Sequence, residues 1–182
     1  EIYVLSNIVE EGKPKGRAYA GNYWHSDLTY QAKPSLCSIM YAHEIPEIGG
    51  DTMFCNTALA YDTLSDKMKA LIAALRAVHS LEHAVRKLVQ HQNHYVPVKA
   101  AEIAARPPVT HPVVRTHPVT GRKCLFVNPG FTDHIVGLSR DESDGLLDIL
   151  YRHAGRPEFV YRHRWSRHDV VMWDNRSTMH FA

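Results

Sequence analysis

Short runs of β-branched and aromatic residues recur along the whole chain, and stretches with helical spacing lie between them. That distribution constrains the fold most. β-Rich segments at residues 2–9, 36–42, 52–55 and 169–174, and the alternating segment 159–165, read as strands. Residues 113–116 and 123–127 flank His117-Pro118-Val119-Thr120-Gly121, a hairpin signature. Residues 57–77 carry apolar side chains at helical spacing, and Ser65-Asp66 within them predicts two short helices rather than one. Ser139 and Glu142 form a capping box at the head of a helix running to residue 153. Many short antiparallel strands with inserted helices make a mainly β jelly roll or cupin-like barrel the expected architecture. A doubly wound fold is disfavoured, since no Gly-rich loop joins a strand to a helix.

A length of 182 residues suits one domain. The chain opens at Glu1 and ends just after an apolar run, so a single incomplete domain, cut at both ends, is expected over residues 1–182. Residues 80–106 are polar, basic and rich in histidine, and are expected to form a lid-like insertion with a helix around 82–92. Lys and Arg number 21 against 19 Asp and Glu, a net charge of +2 with no massed block. Neither nucleic acid nor an anionic membrane is therefore an expected partner. No apolar run approaches the roughly 18 residues of a membrane span. Cys37, Cys55 and Cys124 are too few for a disulfide framework and contain no Cys-x-x-Cys pair, which fits a reducing, cytoplasmic setting.

Histidine is abundant, at thirteen residues. Only one, His25, begins a His-x-Asp unit. Two residues apart on a strand, His25 and Asp27 point to the same side. A second imidazole from a distant strand would complete the two-histidine, one-carboxylate facial set of non-haem Fe(II) oxygenases. His180 is the best candidate, set among Trp173, Met179 and Phe181. For His43, His79, His83, His91, His94, His153, His163 and His168, a solvated side chain or a local hydrogen bond is expected, and His111 and His117 read as strand-end punctuation.

Trp24-His25-Ser26-Asp27-Leu28-Thr29-Tyr30, Pro34, Gly49-Gly50-Asp51-Thr52 and Leu64-Ser65 resemble the taurine dioxygenase/2,4-D dioxygenase family. The likeness continues through His111-Pro112-Val113-Val114-Arg115-Thr116-His117-Pro118, Phe126-Val127-Asn128, Gly130-Phe131-Thr132 and Trp173-Asp174-Asn175-Arg176 to His180. The resemblance implies a double-stranded β-helix and an Fe(II)- and 2-oxoglutarate-dependent dioxygenase. Such an enzyme hydroxylates a small, anionic substrate with O2 while converting 2-oxoglutarate to succinate and CO2. His25, Asp27 and His180 would hold Fe(II), and Thr52 would bind the far carboxylate of 2-oxoglutarate. By position, Asn22, Tyr23, Leu28, Val85 and Phe131 are the candidate substrate-binding residues. The family's cosubstrate-binding Arg is expected about ten residues beyond the distal histidine, past Ala182, and Arg176 reads instead as an ion-pair partner of Asp174. The family also suggests a homo-oligomer. The alternative reading is a cupin-like metal-binding or scaffold protein without oxygenase activity.

Overall fold

The computed structural model describes residues 3–16, 21–91 and 98–182. In chain order, β1 (Val9–Glu10) and β2 (Lys13–Pro14) form a small hairpin, followed by β3 (Cys37–Tyr41) and β4 (Thr52–Asn56). Then come α1 (Thr57–Asp62), α2 (Asp66–Ile72), β5 (Arg76–His79), α3 (Leu81–His91), α4 (Ala100–Ala104) and β6 (Val109–Pro112). The remainder is β7 (Val114–Thr116), β8 (Lys123–Leu125), β9 (Thr132–Ile135), α5 (Arg140–Ala154), β10 (Val160–His163), β11 (Val170–Asp174) and β12 (Thr178–Phe181). No helix among the described residues is long and apolar enough to cross a membrane.

Local chemistry sets these boundaries. Asn56 ends β4 and caps α1, its side chain accepting from the Leu59 amide. Ser65 accepts from the Met68 amide and starts α2, so the expected break at Ser65-Asp66 is present. Ser139 and Glu142 cap α5 reciprocally, as the capping box requires. Of the strand expected over residues 2–9, only Val9 lies in a named strand; Ile2 is outside the described residues. Val4, Leu5 and Val9 are exposed, so the apolar side chains there bury no common face.

A three-stranded antiparallel sheet, β10-β4-β12, carries the architecture. On one face, Cys55 and Met179 join Ala60, Tyr61, Leu147 and Leu150 in the main core, so α1 and α5 cover that side. Full burial of each such large side chain is worth roughly 1.5–3 kcal/mol. The other face carries Thr52, Phe54 and His180, because Phe54 pairs with His180 and side chains alternate along the strand. Opposite that face lies the two-stranded sheet β11-β3, and Trp173 spans the gap, its ring 5.3 Å from Phe54 and 4.8 Å from His180. The result is two facing sheets with the site between them.

A further sheet, β6-β5-β9, lies where the sequence analysis expects none of its three strands. The apolar pattern is broken there by His79 and His111, which are buried rather than solvated or merely at a strand end. Their rings meet edge to face at 5.1 Å and both pack on Phe126. His83 is also buried, with Nδ1 2.7 Å from Asp133. Leu81, His83 and Ala84 thus pack the first turn of α3 into the body. Within the expected lid, residues 92–97, including His94, lie outside the described residues.

Candidate metal centre

His25 meets β12 through one isolated antiparallel bridge, and Asp27 begins the turn that follows, so the expected strand through both is not formed. The His25 amide donates to the His180 carbonyl at 3.0 Å, and the His180 amide donates to the His25 carbonyl at 2.7 Å. The two imidazoles therefore face each other across a hydrogen-bonded residue pair, ring centroids 4.1 Å apart. Asp27 Oδ1 lies 3.6 Å from His25 Nε2 and 3.7 Å from His180 Nε2. One ligand atom from each of the three residues falls within 4.8 Å of the others, the only such group found among the described residues.

Burial prepares these atoms for a cation. The His25 Nδ1–H donates to the Tyr23 carbonyl at 2.8 Å, which fixes the tautomer and leaves the Nε2 lone pair facing Asp27. Burial lowers the His25 pKa, opposed by the Asp27 charge. Burial, with the His25 imidazole beside it, pushes His180 down to about 3. Both rings are neutral donors at neutral pH, next to one carboxylate. Two imidazoles and a carboxylate on one side of a point suit a divalent metal that keeps other positions open.

The segment around this set is clamped from several elements. Asn128 donates to Thr29 Oγ1 at 3.1 Å and accepts from the Phe131 amide at 2.8 Å. His111 Nε2 is 2.9 Å from the Thr29 carbonyl, which explains a buried imidazole on β6. Leu28, directly after Asp27, has φ 56°, a left-handed conformation that strains a branched side chain and is held by these neighbours. Gly130 brings the 129–132 turn against Tyr23 and His25 so closely that no Cβ would fit.

Of the expected substrate-binding residues, Tyr23 and Phe131 reach the site, with ring centroids 4.9 and 6.0 Å from His25. Leu28 is half-buried beside Asp27, whereas Asn22 is exposed. Val85 is half-buried on α3, and no contact with the three site residues is recorded for it. That helix meets the site indirectly, since the Ser80 amide donates to the Phe131 carbonyl and Lys87 Nζ to the Pro129 carbonyl. Thr52 is buried on the His180 side of β4, two residues from the strand partner of His180, about 7 Å along the strand. Its Oγ1 accepts from Trp165 Nε1 at 2.9 Å, so the hydroxyl proton is free to donate to an anion. Arg176 grips Asp174 with two nitrogens and is structural, as expected. A separate cavity of about 370 Å3, reached by Phe54, Tyr161, Thr178, His117 and Arg122, is lined by none of the three metal-site residues.

The sequence profile of the "Taurine catabolism dioxygenase TauD, TfdA family" matches residues 1–182. The chain belongs to this family. It is 38% identical over 187 residues to the alpha-ketoglutarate-dependent 2,4-dichlorophenoxyacetate dioxygenase of Cupriavidus pinatubonensis, covering 99% of this chain and 63% of that protein. It is 38% identical over 162 residues to the alpha-ketoglutarate-dependent sulfonate dioxygenase of Saccharomyces cerevisiae, covering 87% of this chain and 37% of that protein. The chain thus spans less than two thirds of either relative. A crystal structure of AAD-2 in complex with Mn(II) and N-oxalylglycine, an analogue of 2-oxoglutarate, superposes with a TM-score of 0.78 at 39% identity, over 88% of this chain and 60% of that one. Jelly-roll TauD-like dioxygenases are thus the structural neighbours of this sandwich.

Two residues that hydrogen-bond behind Asp27 were not singled out from the sequence. Ser38 donates to Asp27 Oδ2 at 2.5 Å, and Asn175 donates to Ser38 at 2.9 Å. Asn175 lies within the Trp173-Asp174-Asn175-Arg176 segment, which was the available signal. Ser38 on β3 carried none.

Proposed function

We propose that this chain forms the metal-binding part of an Fe(II)- and 2-oxoglutarate-dependent dioxygenase that hydroxylates a small organic anion. The observation that carries this reading is the convergence of His25 Nε2, His180 Nε2 and Asp27 Oδ1 between two sheets. Ferrous iron held there would supply O2 activation coupled to oxidative decarboxylation of 2-oxoglutarate. The protein's own part is to bind and orient. The two neutral imidazoles and one carboxylate oxygen hold the cation on one side and leave the other side for cosubstrate. The Thr52 hydroxyl, anchored by Trp165, donates to the far carboxylate of 2-oxoglutarate. Tyr23 and Phe131 form an aromatic wall beside His25 that excludes water and packs the apolar part of the substrate. An anionic substrate is favoured because the relatives are named for sulfonates and for 2,4-dichlorophenoxyacetate. The free thiols of Cys37, Cys55 and Cys124 favour a reducing cytoplasmic setting within the same proposal.

The test is an anaerobic titration of the protein with Fe(II), then 2-oxoglutarate, followed by visible absorption. A charge-transfer band that is lost in His25→Ala, Asp27→Ala and His180→Ala is expected. No band in the wild type, or a band that survives all three substitutions, would overturn the reading.

A further inference from the structure

Asp27 has two carboxylate oxygens, and their surroundings differ. Oδ1 faces the two imidazoles at nearly equal distances of 3.6 and 3.7 Å. Oδ2 faces away, into a chain of fixed donors. Ser38 Oγ–H donates to it at 2.5 Å. Asn175 Nδ2–H donates to Ser38 Oγ at 2.9 Å. Because Ser38 Oγ receives that hydrogen, its own single proton is directed to Asp27.

Asn175 cannot turn its amide over. Its Oδ1 lies 3.2 Å from the Asp27 amide and 3.2 Å from Trp173 Nε1, two groups that only donate. A flipped amide would set N–H against N–H at both. The residue is 2% exposed, so water cannot replace either partner. β3 and β11 pair Ser38 with Trp173, which places the whole chain of donors on the inner face of that sheet. One buried amide thereby ties three things together: the Asp27 backbone, the Trp173 ring and the Ser38 hydroxyl.

We infer that Asn175 and Ser38 are positioning residues that make Asp27 a one-oxygen metal ligand, holding Oδ2 so that only Oδ1 is offered to the cation. The inference rests on the metal-centre reading above. Its consequence is chemical. A carboxylate that gripped the metal with both oxygens would take a fourth position and crowd the cosubstrate, whereas one held through Oδ2 leaves that position open. Neither residue touches the cation. Both act through Asp27, as outer partners of metal ligands do.

The experiment measures Mn(II) binding to the 182-residue chain, reading free Mn(II) by electron paramagnetic resonance, alongside urea unfolding of the metal-free protein. Ser38→Ala is expected to weaken Mn(II) binding about ten-fold or more, with the metal-free urea midpoint close to wild type. Ser38→Thr, which restores the hydroxyl, is expected to recover the affinity. Asn175→Ala is expected to weaken binding too, and the Ser38→Ala/Asn175→Ala pair to lose less than the sum of the two single losses, because both act on Asp27 through one chain of donors. Wild-type affinity in Ser38→Ala would overturn the inference, as would Ser38→Thr binding no better than Ser38→Ala. Additive losses in the double variant would overturn the serial arrangement. Failure of the wild type itself to bind Mn(II) would overturn the metal-centre reading and this inference together, and that outcome is distinct because it precedes any substitution.

Discussion

Adding one methyl group at Gly130 should disable the candidate metal centre without replacing a ligand. A Cβ there would lie 2.5 and 2.7 Å from two carbons of the Tyr23 ring and 3.0 Å from His25 Cβ. Ordinary carbon–carbon contact is about 3.5–4.0 Å, so the ring must retreat by about 1 Å. It has little freedom to do so, because it packs between the His25 and Phe131 rings. His25 Cβ is tethered on both sides, by the bridge to His180 and by the Nδ1 bond to the Tyr23 carbonyl. Overpacking of this kind costs about 1–3 kcal/mol of stability. Displacement of an imidazole and loss of its orienting bond should also lower metal affinity about ten-fold or more. Gly130→Ala would be compared with wild type by urea unfolding of the metal-free protein and by Mn(II) titration. Unchanged affinity with unchanged stability would refute the argument, since it would mean that Tyr23 and His25 yield freely.

His79 is fully buried, and burial, with His111 beside it, pushes its pKa down to about 3. Between that value and about 6.5, where an unfolded histidine titrates, the unfolded chain holds the extra proton. Stability therefore falls as pH falls through this window, by about 1.4 kcal/mol per unit from this group. Unfolding free energies from urea titrations at pH 7 and pH 5 should fall by about 2 kcal/mol more in the wild type than in His79→Leu, and parallel profiles would contradict the assignment. Ser139→Ala removes the acceptor for the Glu142 amide and the partner of its side chain. A loss of about 1 kcal/mol is expected, read by urea unfolding, and no loss would mean that α5 is held by its packed face alone.

The parts of the fold that were legible in the sequence are those decided locally. Ser65 and Ser139 cap helices with their own side chains, and the His25-x-Asp27 unit stood out in the sequence although only His25 pairs with a strand and Asp27 lies in the turn that follows. His180 was named both from its apolar surroundings and from the family resemblance, and its strand lies opposite His25. What stayed hidden was decided by distant partners. β5 and β6 carry His79 and His111, whose polar rings break the apolar pattern and become acceptable in a core only through Thr29, Gln31 and Phe126. The converse error fell on residues 2–9, where β-forming side chains have no layer to cover. Ser38 and Asn175 were hidden for the same reason, since 137 positions separate them in the chain.

The reciprocal backbone bonds between His25 and His180 join positions 155 apart in sequence through a single residue pair. Each imidazole is aimed by the strand that carries it, so a slip of one residue on either side would turn its ring to the opposite face. Under the proposed metal site, capture of a cation would therefore report the docking of β12. A folding intermediate with β12 undocked would keep one imidazole and one carboxylate but lack the clasp. Such long-range closure belongs to the slow, late part of assembly. Metal present during refolding would act on that closing step, shifting the balance of docked over undocked β12.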